Sequence, residues 1–368
     1  MISVEFKGVT KEYHGQPVLK GVDFAVESGT FSVIFGAPGC GKSVILRLLT
    51  GLEKPTAGQV LMRGGDVSSM SPGERNIGYV PQMFALYPHY KVYDNIAYPL
   101  RLMGVPEKEV DGAVQQAADR LRITPLLKKS PDQLSGGEKQ RVALARGVVK
   151  HTDIYALDDP LAGLDFKLRE QLFDDLREMQ EALQATFVYT TSDPLETLAL
   201  ADQAAILDGG RIVETGPVED MYRQPQHVRT MVLFGFPASN LLTGNLYTQA
   251  GRVWCQTRLF EFPVQLTQPA DVIRAREPVH VVIRPQDIVL DLEKQNGLLT
   301  CQAKVMLRDD LGGELVVYLG VDGTSLVTVV PHAKDHLITE DILTIGVRPS
   351  TVVLFAPDTN HRIGYGAT

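Results

Sequence analysis

The hydrophobic pattern changes period several times along the chain, and each change marks an element. Residues 3–26 alternate apolar and polar positions, as in Ser3-Val4-Glu5-Phe6. This period of two predicts short antiparallel strands packed on the edge of a domain. Phe31 to Phe35 is an apolar run and reads as a buried strand, and Val44 to Leu49 has helical spacing. Thr56-Ala57-Gly58-Gln59-Val60 reads as a turn into a further strand, and Asn76 to Gln82 as a buried strand ending at a glutamine. Residues 93–150 become helical, with Val110, Val114, Ala118 and Leu121 recurring at helix spacing among polar residues. Ile154 to Asp158 reads as a strand ending in a carboxylate. An amphipathic helix follows to about Leu183, then a buried strand over Thr186 to Thr191. Ala204 to Val213 reads as a hairpin turning at Gly209-Gly210. Strands alternating with helices predict an α/β fold with a helical insertion over about 90–150.

Around Phe236-Pro237 the pattern shifts. Residues 240–368 hold short alternating runs, such as Val279 to Ile283, Cys301 to Val305 and Glu314 to Leu319, set apart by Gly, Pro and Asp turns. These predict a small all-β barrel or sandwich. The expected division is therefore 1–235 and 236–368. Ile283-Arg284-Pro285 and Val347-Arg348-Pro349 mark a weak internal repeat.

Length and charge narrow the class. A chain of 368 residues is long enough for two domains with a sizeable core. A formal net charge of -8 argues against a general nucleic-acid binder, which carries a basic face. No apolar run approaches the roughly 18 residues that span a bilayer. The start, Met1-Ile2-Ser3-Val4-Glu5, lacks the layout of a signal peptide. Cys40, Cys255 and Cys301 are too few and too scattered for a disulfide framework or a metal site. The expectation is a soluble cytoplasmic protein; work at a membrane would need another subunit to hold it there.

The candidate chemistry centres on Gly36-Ala37-Pro38-Gly39-Cys40-Gly41-Lys42-Ser43, followed by Val44, which fits the phosphate-loop pattern at every fixed position. Its glycines let successive N–H groups face inward as an anion nest, and the helix N-terminus adds its positive end. Lys42 is expected to reach the β- and γ-phosphates of a nucleotide and Ser43 to ligate Mg²⁺. Asp158 completes such a site by holding the metal, while Asp159 would face the γ-phosphate and orient water. Leu134-Ser135-Gly136-Gly137-Glu138-Lys139-Gln140 opens a helix, where a hydroxyl and bare amides make either an ordinary N-cap or a second anion site. Tyr13 is either an adenine-stacking ring or an exposed strand tyrosine, and its spacing does not choose. Ala85-Leu86-Tyr87-Pro88-His89 is an apolar, aromatic surface loop that wants a partner or covers a satellite cluster.

Taken together, the phosphate loop, the Gln82 loop, the Leu134–Gln140 signature and the Asp158 strand resemble the ATP-binding subunits of ABC transporters. Tyr87 with its neighbours, Pro160-Leu161, and Leu164-Asp165 before Lys167-Leu168-Arg169 are similar to the sugar and glycerol-phosphate importer branch. The resemblance implies a P-loop ABC ATPase domain followed by an OB-like, TOBE-type β domain. It implies ATP and Mg²⁺ as ligands. Tyr13 would take the adenine, residues 36–44 the phosphates, and Ser43, Gln82 and Asp158 the metal. Asp159, Ser192 and Gln82 would serve catalysis. Ser135, Gly136, Gly137 and Glu138 would approach the nucleotide held by a second ATP-binding subunit. The loop near Tyr87 would dock a permease subunit, with a solute-binding protein as an indirect partner. The subunit would lie at the cytoplasmic face of the cell membrane.

Two positions depart from the family pattern. Asp159 stands where Glu is usual, and Ser192 where a switch His is usual; Ala162-Gly163 also departs in the following turn. The shorter carboxylate and the uncharged hydroxyl imply a site that binds ATP and hydrolyses it poorly. With the signature intact, the expectation is the degenerate half of a pair of unlike ATPase chains. The alternatives are a slow homodimer, or an importer of polyamine, iron or an anion.

Overall fold

The computed structural model describes residues 1–267, 277–290, 297–338 and 341–367, which form two compact units, Met1–Glu219 and Asp220–Thr368. In the first unit, β1 (Ile2–Tyr13), β2 (Gln16–Glu27), β3 (Phe31–Phe35) and α1 (Lys42–Thr50) are followed by β4 (Ala57–Met62), β5 (Gly65–Asp66), α2 (Pro72–Arg75) and β6 (Gly78–Val80). Three helices come next: α3 (Val92–Leu102), α4 (Glu107–Arg120) and α5 (Gly136–Val148). The unit closes with β7 (Ile154–Asp158), α6 (Phe166–Leu183), β8 (Thr186–Thr191), α7 (Pro194–Leu200), β9 (Gln203–Asp208) and β10 (Arg211–Pro217).

β1 and β2 are not the short strands that the alternation suggests. Each runs for 12 residues, because register shifts between Phe6 and Val9 and between Val9 and Lys11 absorb the breaks in the pattern without ending the strand. With β4 and β5 they form a separate antiparallel sheet in the order β2-β1-β4-β5. The second sheet runs β10-β9-β3-β8-β7-β6, and every pairing from β9 to β6 is parallel. All five residues of β3 and of β7 are buried, as a sheet covered on both faces requires. α1 and the sheet share one core, in which Ile45, Leu46, Leu48 and Leu49 pack against Ile34, Ile154 and Val188.

The ends of these elements remote from the strand tips are tied together by polar groups. Arg75 is only 1% exposed, and its Nη1 donates to the carbonyls of Leu48 at 2.5 Å and Leu49 at 2.8 Å. A guanidinium there satisfies the last carbonyls of α1 and complements the negative end of its dipole. Arg63 donates to Asp153, just before β7, and to the Arg75 carbonyl, while Thr152 Oγ1 donates to the Asn76 carbonyl at 2.5 Å. α1, β6 and β7 are thereby fixed relative to one another at one end, which sets where their other ends lie.

The second unit holds a closed barrel of six strands: Asn240–Gln249, Arg252–Thr257, Glu261–Leu266, Arg362–Gly366, Val353–Phe355 and Glu277–Ile283, in that order around it. It also holds a five-stranded antiparallel sheet, so both a barrel and a further sheet are present. The two Arg-Pro tripeptides sit alike. Each ends a strand, and Arg284 and Arg348 are the N-caps of the 3₁₀ turns Pro285–Asp287 and Pro349–Thr351.

Candidate nucleotide site

The chain leaves β3 and turns into α1 at the end of the parallel sheet. Gly36 can approach so closely because it has no side chain: a Cβ there would lie 2.3 Å from the Leu207 carbonyl. Gly41 is the N-cap of α1 with φ 111, and no side chain caps the helix or places an acidic group in its first turn. The orphan amides at the positive dipole end of α1 are therefore left without a side-chain cap, the condition under which a helix start can take an anion. Lys42 is buried and arched over the loop. Its Nζ donates to the carbonyls of Gly36 at 2.7 Å and Ala37 at 3.1 Å, and to Ser192 Oγ at 3.4 Å.

Three strand tips converge on this loop. Asp158 ends β7, is 3% exposed, and accepts on Oδ1 from Ser43 Oγ at 2.9 Å and Thr190 Oγ1 at 2.8 Å. Asp159 adopts φ 43, the left-handed region, and its N–H donates to the Thr190 carbonyl at 3.0 Å and to Thr190 Oγ1 at 3.1 Å. Gln82, two residues past β6, donates from Nε2 to Asp159 Oδ2 at 3.3 Å. A cleft of about 270 Å³ opens between them, lined by Pro38, Gly39, Gly41 to Val44, Gln82, Asp158, Asp159 and Ser192. Val18 of β2 lines it as well. Cys40 is not a lining residue; its side chain packs half-buried against the core beneath, and burial pushes its thiol up from the ordinary value.

Neither Val18 nor Thr190 stands out in the sequence. Thr190 could be found only through strand pairing, since the β7–β8 register sets Asp158 opposite it. Ser43 with Asp158 and Lys42 with Ser192 are brought into hydrogen-bond reach. Tyr13 lies outside the cleft lining, at the end of β1, with its hydroxyl donated to Glu53. Ser135 to Glu138 also lie outside it. There the ordinary cap is present: Ser135 N–H donates to Glu138 Oε2 at 2.7 Å and Glu138 N–H to Ser135 Oγ at 3.2 Å. Gly137 is buried, and a Cβ on it would meet the end of the Leu168 side chain of α6 at 2.1 Å, so that side chain would have to shift to admit one. Around Tyr87, Tyr90, Tyr98 and His89 form an aromatic cluster, while Arg146 Nη1 and Nη2 donate to the carbonyls of Ala85 at 2.7 Å and Phe84 at 2.9 Å. Buried Asn95 holds the same loop through Tyr87, Tyr90 and Lys91, and Met83 projects from it, 77% exposed.

Burial holds the Asp159 carboxyl above its ordinary value, with Asp158 adding to the rise and Lys42 opposing it. Between the ordinary and the raised value the folded chain keeps a proton that the unfolded chain has lost, so stability falls as pH rises through that interval. Asp159→Asn removes the titration. The variant is expected to melt above the parent at neutral pH, with the gap closing once pH drops below the ordinary carboxylate range. Thermal melts from about pH 3 to pH 8 read this directly; a gap independent of pH would contradict it.

A family profile described as ABC transporter matches residues 19–162. The sn-glycerol-3-phosphate import ATP-binding protein UgpC 1 of Rhizobium johnstonii is 33% identical over 99% of this chain and 96% of its own. UgpC of Rhodopseudomonas palustris is 43% identical over 66% of this chain and 67% of its own. The maltose/maltodextrin import ATP-binding protein MalK of Vibrio cholerae is 34% identical over 97% and 95%. A solved dimeric ATP-binding cassette, in a post-hydrolysis state with ADP and Pi, superposes with a TM-score of 0.54 at 28% identity, covering 58% of this chain and 98% of that one. Likeness of this extent over nearly the whole length of its relatives makes the chain a member of the ABC transporter ATPases.

Proposed function

We propose that this chain is the ATP-binding subunit of a membrane importer for a sugar, polyol or glycerol phosphate, and that ATP-driven closure of its cassette is coupled to solute movement. The observation that carries the nucleotide reading is the Ser43–Asp158 contact beside the uncapped N-terminus of α1. In this reading, Pro38 to Val44 cradle the phosphates, Tyr13 stacks on the base, and Ser135 and Gly137 reach a nucleotide held by a second cassette. A hydroxyl, a carboxylate and the Gln82 amide oxygen form an all-oxygen set of the kind that suits Mg²⁺. Ser43, Asp158 and Gln82 would hold the ion, which supplies charge neutralisation at the β- and γ-phosphates.

Among the described residues no helix is long and apolar enough to cross a membrane. Peripheral attachment at the inner membrane through permease subunits accords with that, with the loop near Tyr87 as the docking element and Met83 as an exposed apolar contact. The second domain, taken from residue 236 onward, is the region for regulation or pairing. Finer still is the proposal that the partner cassette is a different chain, which rests on Asp159 and Ser192 departing together while Leu134–Gln140 stays intact.

The test is the subunit composition of the detergent-extracted complex, isolated through a tag on this chain and read by native mass. Permease subunits with one unlike ATPase are the expected result. Two copies of this chain with permeases would overturn the unlike pairing alone. Recovery without any membrane subunit would overturn the importer reading. In vesicles made from the complex, ATP-dependent uptake of labelled glycerol phosphate and of maltodextrin then tests the solute class.

A further inference from the structure

Tyr13 sits at the last position of β1, next to a turn at His14 and Gly15, where nothing in the strand ladder itself sets its ring. A carboxylate 40 residues away does so. Glu53 accepts the Tyr13 hydroxyl on Oε2 and pairs with Lys11 Nζ at 3.2 Å and Arg47 Nη1 at 3.4 Å. Lys11 Nζ also donates to the Lys54 carbonyl at 2.9 Å and lies 5.0 Å from the Tyr13 ring centroid. Glu53 is itself tied to α1, since its N–H donates to the Arg47 carbonyl at 3.1 Å just beyond the left-handed C-cap Gly51.

We propose that Glu53 is a positioning residue for the nucleotide base: it holds the Tyr13 ring in a set place relative to α1. This rests on Tyr13 being the base-stacking residue.

α1 starts at Lys42 and Ser43 and ends at Thr50, so one rigid element of nine residues carries the phosphate site at its first turn and the Glu53 anchor just past its last. The distance between the phosphate cradle and the ring is then set by a helix rather than by a hairpin tip. Stacking gains from a ring whose rotation is already restricted, because less side-chain freedom is lost when the base arrives. The groups converging on Glu53 are one hydroxyl and two cations. Burial favours its protonated form, but the bonds from Tyr13, Lys11 and Arg47 outweigh this and hold its carboxyl below the ordinary value. Burial first, and then Glu53, pushes the Tyr13 hydroxyl up to about 12. It stays a donor across the physiological range.

The inference is tested by calorimetric titration of the full chain with ATP and, separately, with inorganic tripolyphosphate, which has no base. The variants are Tyr13→Ala, Tyr13→Phe, Glu53→Leu and the double Tyr13→Phe/Glu53→Leu. Tyr13→Ala should weaken ATP by roughly 10-fold or more, the scale of losing one base–aromatic stack. Tyr13→Phe and Glu53→Leu should each weaken it by about 3- to 10-fold, the scale of one charge-assisted hydrogen bond in a half-exposed place. The double variant should lose no more than either single one, and tripolyphosphate affinity should stay at the parent value throughout. If Tyr13→Ala leaves ATP affinity unchanged, the base-stacking role of Tyr13 fails. If only Tyr13→Ala matters, or the two single losses add, Glu53 does not act through Tyr13. If Glu53→Leu weakens tripolyphosphate as much as ATP, its role is to support α1, and the positioning claim is wrong.

Discussion

Exchange of Asp159 for Glu is expected to raise ATP turnover at this chain's own site by about 100-fold, the factor that misplacing a reacting group by about 1 Å costs. The structure makes the shortfall hard to recover in any other way. The Asp159 backbone is pinned by two hydrogen bonds from its N–H to Thr190, so the residue cannot slide toward the cleft to compensate for a missing methylene. Gln82 holds Oδ2 at 3.3 Å, which further sets where the carboxylate points. The exchange has a cost elsewhere. At φ 43, Asp tolerates the left-handed region better than Glu, because its short side chain bonds locally. Asp159→Glu is therefore expected to melt slightly below the parent while turning over faster. Single-turnover hydrolysis by the intact complex that carries this chain, with and without Ser192→His, is the measurement. No gain in either background would mean that Asp159 does not limit the chemistry, and the degenerate-site proposal would lose its main support.

Exchange of Lys42 for Met is expected to lower kcat/KM for ATP by roughly 100- to 1000-fold, the range found when one preorganised donor is removed from a developing charge. Met matches the length and apolar stem of Lys, and the site is buried, so packing is largely kept while the charge is lost. The Gly36 and Ala37 carbonyls lose their donor, and a modest drop in melting temperature should accompany the change. The informative comparison is Ser43→Ala. It removes the hydroxyl bonded to Asp158 and should abolish the effect of added Mg²⁺ on nucleotide affinity, whereas Lys42→Met should leave that effect in place. Equal losses in the two variants, with no difference in Mg²⁺ response, would mean that the two side chains do not divide the phosphate and metal roles.

Much of the nucleotide site was legible because its parts are local. Lys42 and Ser43 follow their glycines at fixed offsets, and the strand before and the helix after are set by runs of neighbouring apolar residues. Asp158 could be picked out because it ends an apolar run, and Ser135 because a hydroxyl before a helix caps it whatever else it does. The alternation understates the length of β1 and β2, since bulges preserve a strand where the alternation breaks. Thr190, Val18 and Arg75 carried no comparable local signal.

By itself the sequence determined the type and order of most elements, which loop carries the phosphate-loop pattern between a strand and a helix, and which two positions depart from the family pattern. These are properties of a residue and its near neighbours along the chain: period, turn chemistry and side-chain type. The tertiary structure decided which distant groups meet. The β7–β8 register sets Thr190 against Asp158, and α1 brings Glu53 to Tyr13. Buried Arg75 closes the far end of α1 without a carboxylate, through helix carbonyls that no composition reveals. Such contacts depend on strand order and helix placement, and these follow from the packing of the whole core rather than from any stretch of the chain.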